Sequence, residues 1–295
     1  MAADELDVLC VGHASFDQLF QVPHHPGEDE KLFSDALTLS GGGPAANAAI
    51  MVSRLGLSSG FSGYLGADFF GDRHLEELIH AGVNTRGVVR GSLPTPLSIV
   101  LTKPTGKRSL VNFKGNTAWL PGHAVDLSDI SARVLLFDGH EPLLSESLLG
   151  RQVPKVLDGG SLHEGTRRLM KRVDHLVVSE RFAFQWLNRE DPKAALASLS
   201  ELAPAVVITL GERGLIWRRG TEEGALSAPN VEVVDSTGAG DAFHGAYAAG
   251  LAQRLDWEPL LRLASAAGAL CCEIPGARPG LPDRDRVVLL LSEQR

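Results

Sequence analysis

The sequence predicts an α/β fold: a mostly parallel central sheet with crossover helices, and a small second β-sheet beside it. Three observations predict it. Residues 6–12 (LDVLCVG) form an apolar run ending in glycine, the pattern of a strand buried on both faces of a parallel sheet. Beyond Pro121, short apolar strands alternate with helical patterns, which implies right-handed crossovers. Two extended segments, about 15–40 and 91–116, break that rhythm and together make an accessory sheet, read as a lid. Gly and Pro are spread along the chain and do not gather into a linker. Residues 1–295 are therefore expected to form one domain carrying that lid.

Taken in order, Asp17 follows the first strand closely, near the carboxyl edge where open α/β sheets bind ligands. Phe16, Leu19, Phe20 and Val22 are strand-like, Pro23, Pro26 and Gly27 break the chain, and 31–39 resumes the alternation. Gly41-Gly42-Gly43-Pro44 leads into a helix over 45–55, with Pro44 where a first-turn proline is tolerated. A core strand at 61–65 and a helix at 68–81, ended by Gly82, come next. Strands at 88–89 and 97–101, a turn at 103–107 and a return strand at 110–113 complete the second excursion. Core strands follow at 134–137, 155–157, 175–178 and 206–210, with helices at 143–149, 165–173 and 192–202. Residues 206–217 read as strand, turn, strand, and 230–233 as a short strand ahead of a small-residue helix over 245–252. Two closing helices are expected at 255–263 and 264–273, and a last one at 283–292.

At 295 residues and 44% hydrophobic, the chain buries a large core. A formal net charge of −8 argues against nucleic acid or an anionic membrane as partner, since both want a basic face. Three cysteines make no even disulfide framework, and Cys271-Cys272 lies in a helical pattern, so buried thiols in a reducing compartment are expected. Residues 1–7 show no basic or apolar leader pattern, and no apolar stretch approaches about 18 residues. A cytoplasmic protein is the expectation.

The chemistry concentrates at 234–243 (VDSTGAGDAF). Gly238 and Gly240 let the backbone turn tightly and approach a ligand, and the first-turn N–H groups of the following helix favour an anion. Asp241 is the odd member, because a carboxylate repels what such a hole attracts. Taking the proton from an attacking hydroxyl is a chemical reason for it to be there. A helix cap with glycines serving close packing is the alternative.

Several other patterns fail on context. Gly41-Gly42-Gly43-Pro44-Ala45-Ala46 matches a dinucleotide fingerprint but follows the lid segment and not the first strand. It reads better as a glycine floor under a small ligand, with Asn47 offering an amide. Gly56-Leu57-Ser58-Ser59-Gly60 runs helix, serine, strand, the reverse of a nucleophile elbow. His163-Glu164 lacks a second histidine, no C-x-x-C occurs, and no phosphate-binding P-loop is present.

The string at 235–243 resembles the C-terminal signature of the ribokinase-like (PfkB) carbohydrate kinases, D-[ST]-T-G-A-G-D-x-F, at every position, and Gly42, Gly43 and Asn47 match their N-terminal signature. The resemblance spans nearly the whole chain. It implies a three-layer α/β/α domain with a β-sheet lid, and transfer of the γ-phosphoryl group of ATP to a hydroxyl of a small sugar. It implies Asp241 as general base, with the N–H groups of Gly238, Ala239, Gly240 and Asp241 as the anion hole. Magnesium bridges the phosphates, and Asp17, Gly42, Gly43 and Asn47 position the sugar. The T-x-G-x-x-G run of Thr209, Gly211 and Gly214 would border ATP, with Ser265 near the adenine.

Asp235 and Thr237, facing the turn at 275–277, resemble a monovalent-cation loop that potassium would occupy. One departure is the family's N-x-x-E, which reads Ser179-Glu180-Arg181-Phe182 here and leaves metal handling to Glu180 or solvent. In detail the chain looks most like the branch with the sulfofructose and ketohexose kinases. Lys31 and Asn112 match two of that branch's anion-binding residues, and His140 stands where the third, an arginine, would fall. A ketohexose is the expected substrate, with a weak preference for an acidic one that grows as His140 protonates. A nucleoside or vitamin kinase, with Phe16, Phe33 and Phe113 as a clamp, is the alternative within the fold, and a silent sugar sensor the alternative outside catalysis. Apolar lid residues Phe16, Leu19, Phe20 and Val100 point to a lid-to-lid homodimer.

Overall fold

The computed structural model describes residues 4–103, 108–115 and 118–293; most of the turn expected at 103–107 lies outside them. The first half runs β1 (Asp4–Val11), β2 (Ser15–Gln21), β3 (Leu37–Gly42), α1 (Pro44–Arg54), β4 (Ser59–Gly66), α2 (Phe69–His80), β5 (Asn84–Gly91), β6 (Leu97–Thr102) and β7 (Arg108–Phe113). It continues with β8 (Ile130–Phe137), α3 (Pro142–Leu148), β9 (Lys155–Gly159), α4 (Glu164–Leu169), β10 (His175–Ser179), α5 (Glu180–Leu187), α6 (Pro192–Leu199) and β11 (Ala205–Thr209). The last part holds β12 (Leu215–Arg219), β13 (Glu222–Leu226), α7 (Ala239–Ala252), α8 (Trp257–Cys271), α9 (Ala277–Gly280) and α10 (Arg284–Glu293).

A nine-stranded sheet is ordered β13-β12-β11-β10-β9-β8-β1-β4-β5, parallel from β11 to β5 with β12 and β13 antiparallel at one edge. Because successive side chains on a strand face opposite ways, its apolar strands feed two cores. Val8, Cys10, Val134, Leu136 and Val177 pack with α1, α7 and α8, while Leu9, Val11, Leu135, Phe137 and Val178 pack with α3 to α6. The second sheet is β3-β2-β6-β7. The three cysteines are buried and free. Among the described residues, no helix is long and apolar enough to cross a membrane.

The sheet's order reverses at β1, which pairs with β4 on one side and β8 on the other. A crevice opens outside the carboxyl ends of strands at such a reversal. Asp138, just past β8, ties it together: its Oδ2 accepts from the N–H of His13 (2.7 Å) and of Ala45 (3.3 Å), and its Oδ1 from that of His140 (2.8 Å). A Cβ on Gly12 would fall 1.9 Å from that carboxylate, so β1 must end in glycine.

Several expectations need correcting. The strand placed at 31–39 begins only at Leu37 and runs into the glycines as β3, and no strand forms over 22–36. No strand forms at 230–233 either: Val234 and Asp235 give their N–H groups to the Cys272 carbonyl (2.8 and 3.0 Å), so this segment is tied to the end of α8 and not to a sheet. The two helices expected over 255–273 are one, α8, because its alanine-rich middle offers nothing to break it. Phe16, Leu19 and Val100 are buried, contrary to their placement on an exposed lid face; Leu37, Leu39, Ile99, Val111 and Phe113 are exposed instead.

Candidate active site

Helix α7 starts at the crevice. Gly238 has φ +81°, and a Cβ there would lie 2.7 Å from the Ala277 Cα, so only glycine fits. Gly240 differs: a Cβ there would meet nothing within 4 Å, so protein packing does not require glycine and the space above the turn stays open. No side chain caps this terminus. An uncapped first turn with open space over its glycine is a fitting cradle for an anion such as a phosphoryl group.

Asp241 sits in that first turn, and α1 is pressed against α7 beside it; a Cβ on Gly245 would lie 2.6 Å from the Ala48 carbonyl. The close approach brings the Asn47 Nδ2 to within 2.7 Å of the Asp241 Oδ2, to which it donates. The Asn47 Oδ1 accepts from the Arg278 Nε at 3.4 Å, and since arginine only donates, that contact fixes which end of the amide faces Asp241. Arg278 is itself buried, paired with Glu77 at 2.6 Å and with its other terminal nitrogen 2.8 Å from the His74 Nε2. Glu77 also accepts from the Gly41 N–H at 2.9 Å. Burial pushes the Asp241 carboxyl up to about 7; the Asp158 carboxylate adds to the rise and the Asn47 amide opposes it.

The second sheet lays a polar row beside this network. In register, Asp17 pairs with Ser40 on β3 and Ser98 on β6, and Ser98 with Asn112 on β7. The Ser15 Oγ donates to the Asp17 Oδ1 at 2.9 Å. Burial raises the Asp17 proton affinity, against the Ser15 and Ser98 hydroxyls and Arg278. A Cβ on Gly42 would fall 2.1 Å from the Asp17 carboxylate, and one on Gly43 (φ +94°) 2.6 Å from the His13 carbonyl, so the glycine floor is pressed directly on these groups. His140 lies farther along the crevice, its ring stacked on His163 at 4.7 Å and 5.1 Å from that of His13, with the Lys114 Nζ 3.0 Å from its Nδ1. Lys31 is not gathered here: it is exposed, its ammonium 5.6 Å from the ring of Phe33. The three phenylalanines do not converge into a clamp either. Phe16 is buried against Phe70, and Phe33 and Phe113 are 79% and 51% exposed.

On the other side of the α7 turn, Ser179 ends β10 and caps α5, its Oγ accepting from the Phe182 N–H (3.1 Å) and donating to the Gly160 carbonyl (2.9 Å). Phe182 is fully buried. Glu180 is engaged by Arg213 in an ion pair, so the side chain left for metal handling is already held. Thr209 ends β11, Gly211 (φ +62°) opens the turn, and Gly214 (φ +87°) closes it, where a Cβ would lie 2.0 Å from the Leu226 carbonyl. Ser265 lines a cavity of about 650 Å³ together with Leu226, Ser227, Pro229 and Leu263, while Gly214 is pressed on the Leu226 carbonyl at the end of β13 and does not itself line the cavity.

Asp235 is buried, its Oδ1 accepting from the Thr237 N–H (3.0 Å) and hydroxyl (2.7 Å) and its Oδ2 from the Gly276 N–H (2.8 Å). Arg108 of β7 donates to the Thr237 hydroxyl and stands 3.8 Å from Asp235. Among the described residues no group of three or more His, Cys, Asp or Glu side chains is arranged to hold a metal ion.

Sequence reasoning missed Arg278, Glu77 and Asp138. Arg278 carried a readable signal, a lone charge inside the Pro/Gly run at 275–282, whereas Glu77 sits among ordinary charged helix residues.

A family model described as pfkB family carbohydrate kinase matches residues 5–284. The ribokinase of Bacillus subtilis is 27% identical over 297 residues, covering 97% of this chain and 99% of that protein. A nucleoside kinase of Methanothermobacter thermautotrophicus is 24% identical, covering 99% and 97%. Among solved structures, Arabidopsis thaliana ribokinase complexed with ribose and ATP superposes with a TM-score of 0.83 at 26% identity, covering 97% of this chain and 98% of that one.

Proposed function

The chain belongs to the pfkB family of carbohydrate kinases, and from that premise we propose that it moves the γ-phosphoryl group of ATP onto a hydroxyl of a ketohexose or related sugar, with Asp241 as general base. The observation that carries this reading is a carboxyl with a pKa near 7 in the first turn of an uncapped, glycine-lined helix. A carboxyl pushed up to about 7 is a stronger base than an ordinary carboxylate and able to take a hydroxyl proton as the bond to phosphorus forms. The N–H groups at 238–241 face the charge developing on the phosphoryl oxygens. Asn47, held by Arg278, keeps Asp241 aimed. Asp17, Gly42, Gly43 and Asn112 line the sugar's side, and the β3-β2-β6-β7 sheet acts as the lid that keeps water out. Magnesium enters with the nucleotide, as part of the MgATP substrate. Ser179, Thr209, Gly211, Gly214 and Ser265 border the nucleotide; for Ser265 this is supported by the cavity it lines with the end of β13. The ATP complex of the Arabidopsis ribokinase supports the choice of donor.

Three finer points belong to the same reading. Potassium occupies the Asp235–Thr237 loop and raises turnover over sodium at saturating magnesium; no response would remove that site. A preference for acidic sugars is weak and grows as pH falls. Burial lowers the His140 proton affinity, the Asp138 carboxylate opposes that, and the Lys114 ammonium adds to the lowering. The exposed outer face of the lid, with Leu37, Leu39, Ile99 and Val111, pairs with that of a second copy in a cytoplasmic homodimer, which light scattering at twice the chain mass would register. The test of the function itself is an ADP-release assay over hexoses, pentoses, nucleosides and sugar acids. Sugar-dependent release, fastest with a ketohexose, is expected; release only with nucleosides would overturn the reading.

A further inference from the structure

Behind the α7 turn lies a buried pair of ionisable groups, of which only the effect of Asp158 on the Asp241 carboxyl has entered the account above. His244 lies one helical turn past Gly240 and is 3% exposed; Asp158, at the carboxyl end of β9, is 5% exposed. The His244 Nδ1 is 2.7 Å from the Gly240 carbonyl and 3.3 Å from the Asp158 Oδ2, and its Nε2 is 3.0 Å from the Val177 carbonyl on β10. Every atom facing a ring nitrogen is thus an oxygen. A neutral imidazole has one bare lone pair, which here would point at a carbonyl or carboxylate oxygen, whereas the imidazolium donates from both nitrogens. With hydrogen on Nδ1 the ring donates to the Gly240 carbonyl, the shortest of these contacts at 2.7 Å. Burial opposes either charge taken singly, drawing His244 down and Asp158 up, and the Val177 and Gly240 carbonyls hold the ring's protons against it.

The position of the Gly240 carbonyl gives the contact its meaning. It belongs to the peptide that joins Gly240 to Asp241, so whatever fixes this carbonyl also fixes the N–H of Asp241 on the same peptide plane. Apart from the backbone of α7 itself, no atom lies within 4 Å of where a Cβ on Gly240 would stand, so no side chain packs on that face of the peptide. Glycine is the residue least able to hold its own φ and ψ. His244 adds a restraint the helix alone does not give, anchoring that peptide to β9 through Asp158 and to β10 through Val177.

We propose that His244 and Asp158 are positioning residues that lock the Gly240–Asp241 peptide, and with it the anion hole and the base, to the carboxyl edge of the sheet. This rests on reading the first turn of α7 as the phosphoryl site. The pair touches neither substrate; it acts through the peptide it holds.

Two substitutions separate this from a role in packing alone. Asparagine places its amide where Nδ1 stands and glutamine where Nε2 stands, so His244→Asn keeps the Gly240 contact and His244→Gln keeps only the Val177 contact. His244→Gln should lose about 10- to 100-fold in kcat, the cost of an anion hole out of place by an ångström or less, with KM for ATP and sugar within about threefold. His244→Asn should stay within about fivefold of wild type at a similar melting temperature. Equal losses in both variants, tracking their melting temperatures, would overturn the proposal. Should either variant fail to fold, nitrogen NMR of histidine-labelled wild-type protein decides it, with the His244 signals assigned from Asp158→Asn. Hydrogen on Nδ1 is expected, and a bare Nδ1 would sink the idea. The NMR result stands apart from the kinase reading, which fails on its own if no sugar drives ADP release.

Discussion

The two ends of the cleft are built differently. At the Asp241 end, a chain of contacts runs from the glycine floor through Glu77, Arg278 and Asn47 to the carboxylate, joining β3, α2, α9, α1 and α7. At the Ser179 end, polar side chains are occupied with local structure: Ser179 caps α5, and Glu180 pairs with Arg213 across the β11–β12 turn. The first arrangement holds one carboxylate in a fixed direction using long-range contacts between elements far apart in sequence. The second stabilises its own surroundings. Preorganisation is thus concentrated around Asp241, the group proposed as the base.

The largest effect should come from the Asp241 end. Asp241→Asn is expected to keep the fold, because an amide oxygen still accepts from Asn47, while kcat falls by roughly 10²–10⁴-fold. The same variant should gain stability at high pH. The folded carboxyl holds its proton up to about pH 7, far above the value of 3.8 it would have in an open chain, so the wild type loses stability as pH rises through that window. The melting temperature of Asp241→Asn should thus exceed that of wild type at pH 8, with the gap closing toward pH 5. Turnover within a few-fold of wild type would remove the base assignment.

Asp17 borders the same network and is proposed to hold the sugar. Asp17→Ala should raise KM for the sugar by about 10- to 100-fold, the worth of a charged hydrogen bond, and change KM for ATP far less; equal changes would place Asp17 outside the sugar site. A pH profile probes the network without mutation. Since the base works only when deprotonated, kcat/KM should climb about tenfold per unit up to about pH 7 and level off above it. A profile flat from pH 5.5 to 8 would break the contrast between the ends.

The smallest effect is expected at the other end. Ser179→Ala removes a helix cap and should cost about 1 kcal/mol of stability, seen in denaturant melts, with kcat within about threefold. A hundredfold loss of kcat would show that Ser179 handles phosphate after all, and the comparison would fail.

What the sequence disclosed follows from how local each signal is. The first strand, α1, the body of α7 and β9 to β11 are written in runs of apolar or small residues and formed close to where expected, whereas β13 (Glu222–Leu226), which carries two glutamates, was not anticipated and the strand expected at 230–233 did not form. Asp241 and Asn47 were legible because each sits in a compact string whose chemistry is local. Arg278, Glu77 and Asp138 were not, since each acquires its role only through contacts with residues distant in the chain: Arg278 meets Asn47 231 positions away, and Asp138 meets His13 125 positions away. Lys31 erred in the opposite direction. It matches an anion-binding position of the resembling branch, but the break at Pro23, Pro26 and Gly27 continues to residue 36, and without a strand the lysine stays in solvent above Phe33.

The pairing of β1 has a consequence for how the chain is made. Val8 lies opposite Ser59 on one side and Val134 on the other. On a ribosome adding about 5–20 residues per second, the second partner emerges some 4–15 s after the first. For that interval the nascent chain carries β1 with one open, apolar, parallel edge, the kind of edge that recruits other chains. The crevice between β1 and β8 does not yet exist during this time, so neither sugar nor nucleotide can shelter the intermediate. The stretch of synthesis between those two residues, which includes β6 and β7, is therefore when this enzyme is most exposed to aggregation. A chaperone holding β1 there would protect it more than any ligand of the finished protein.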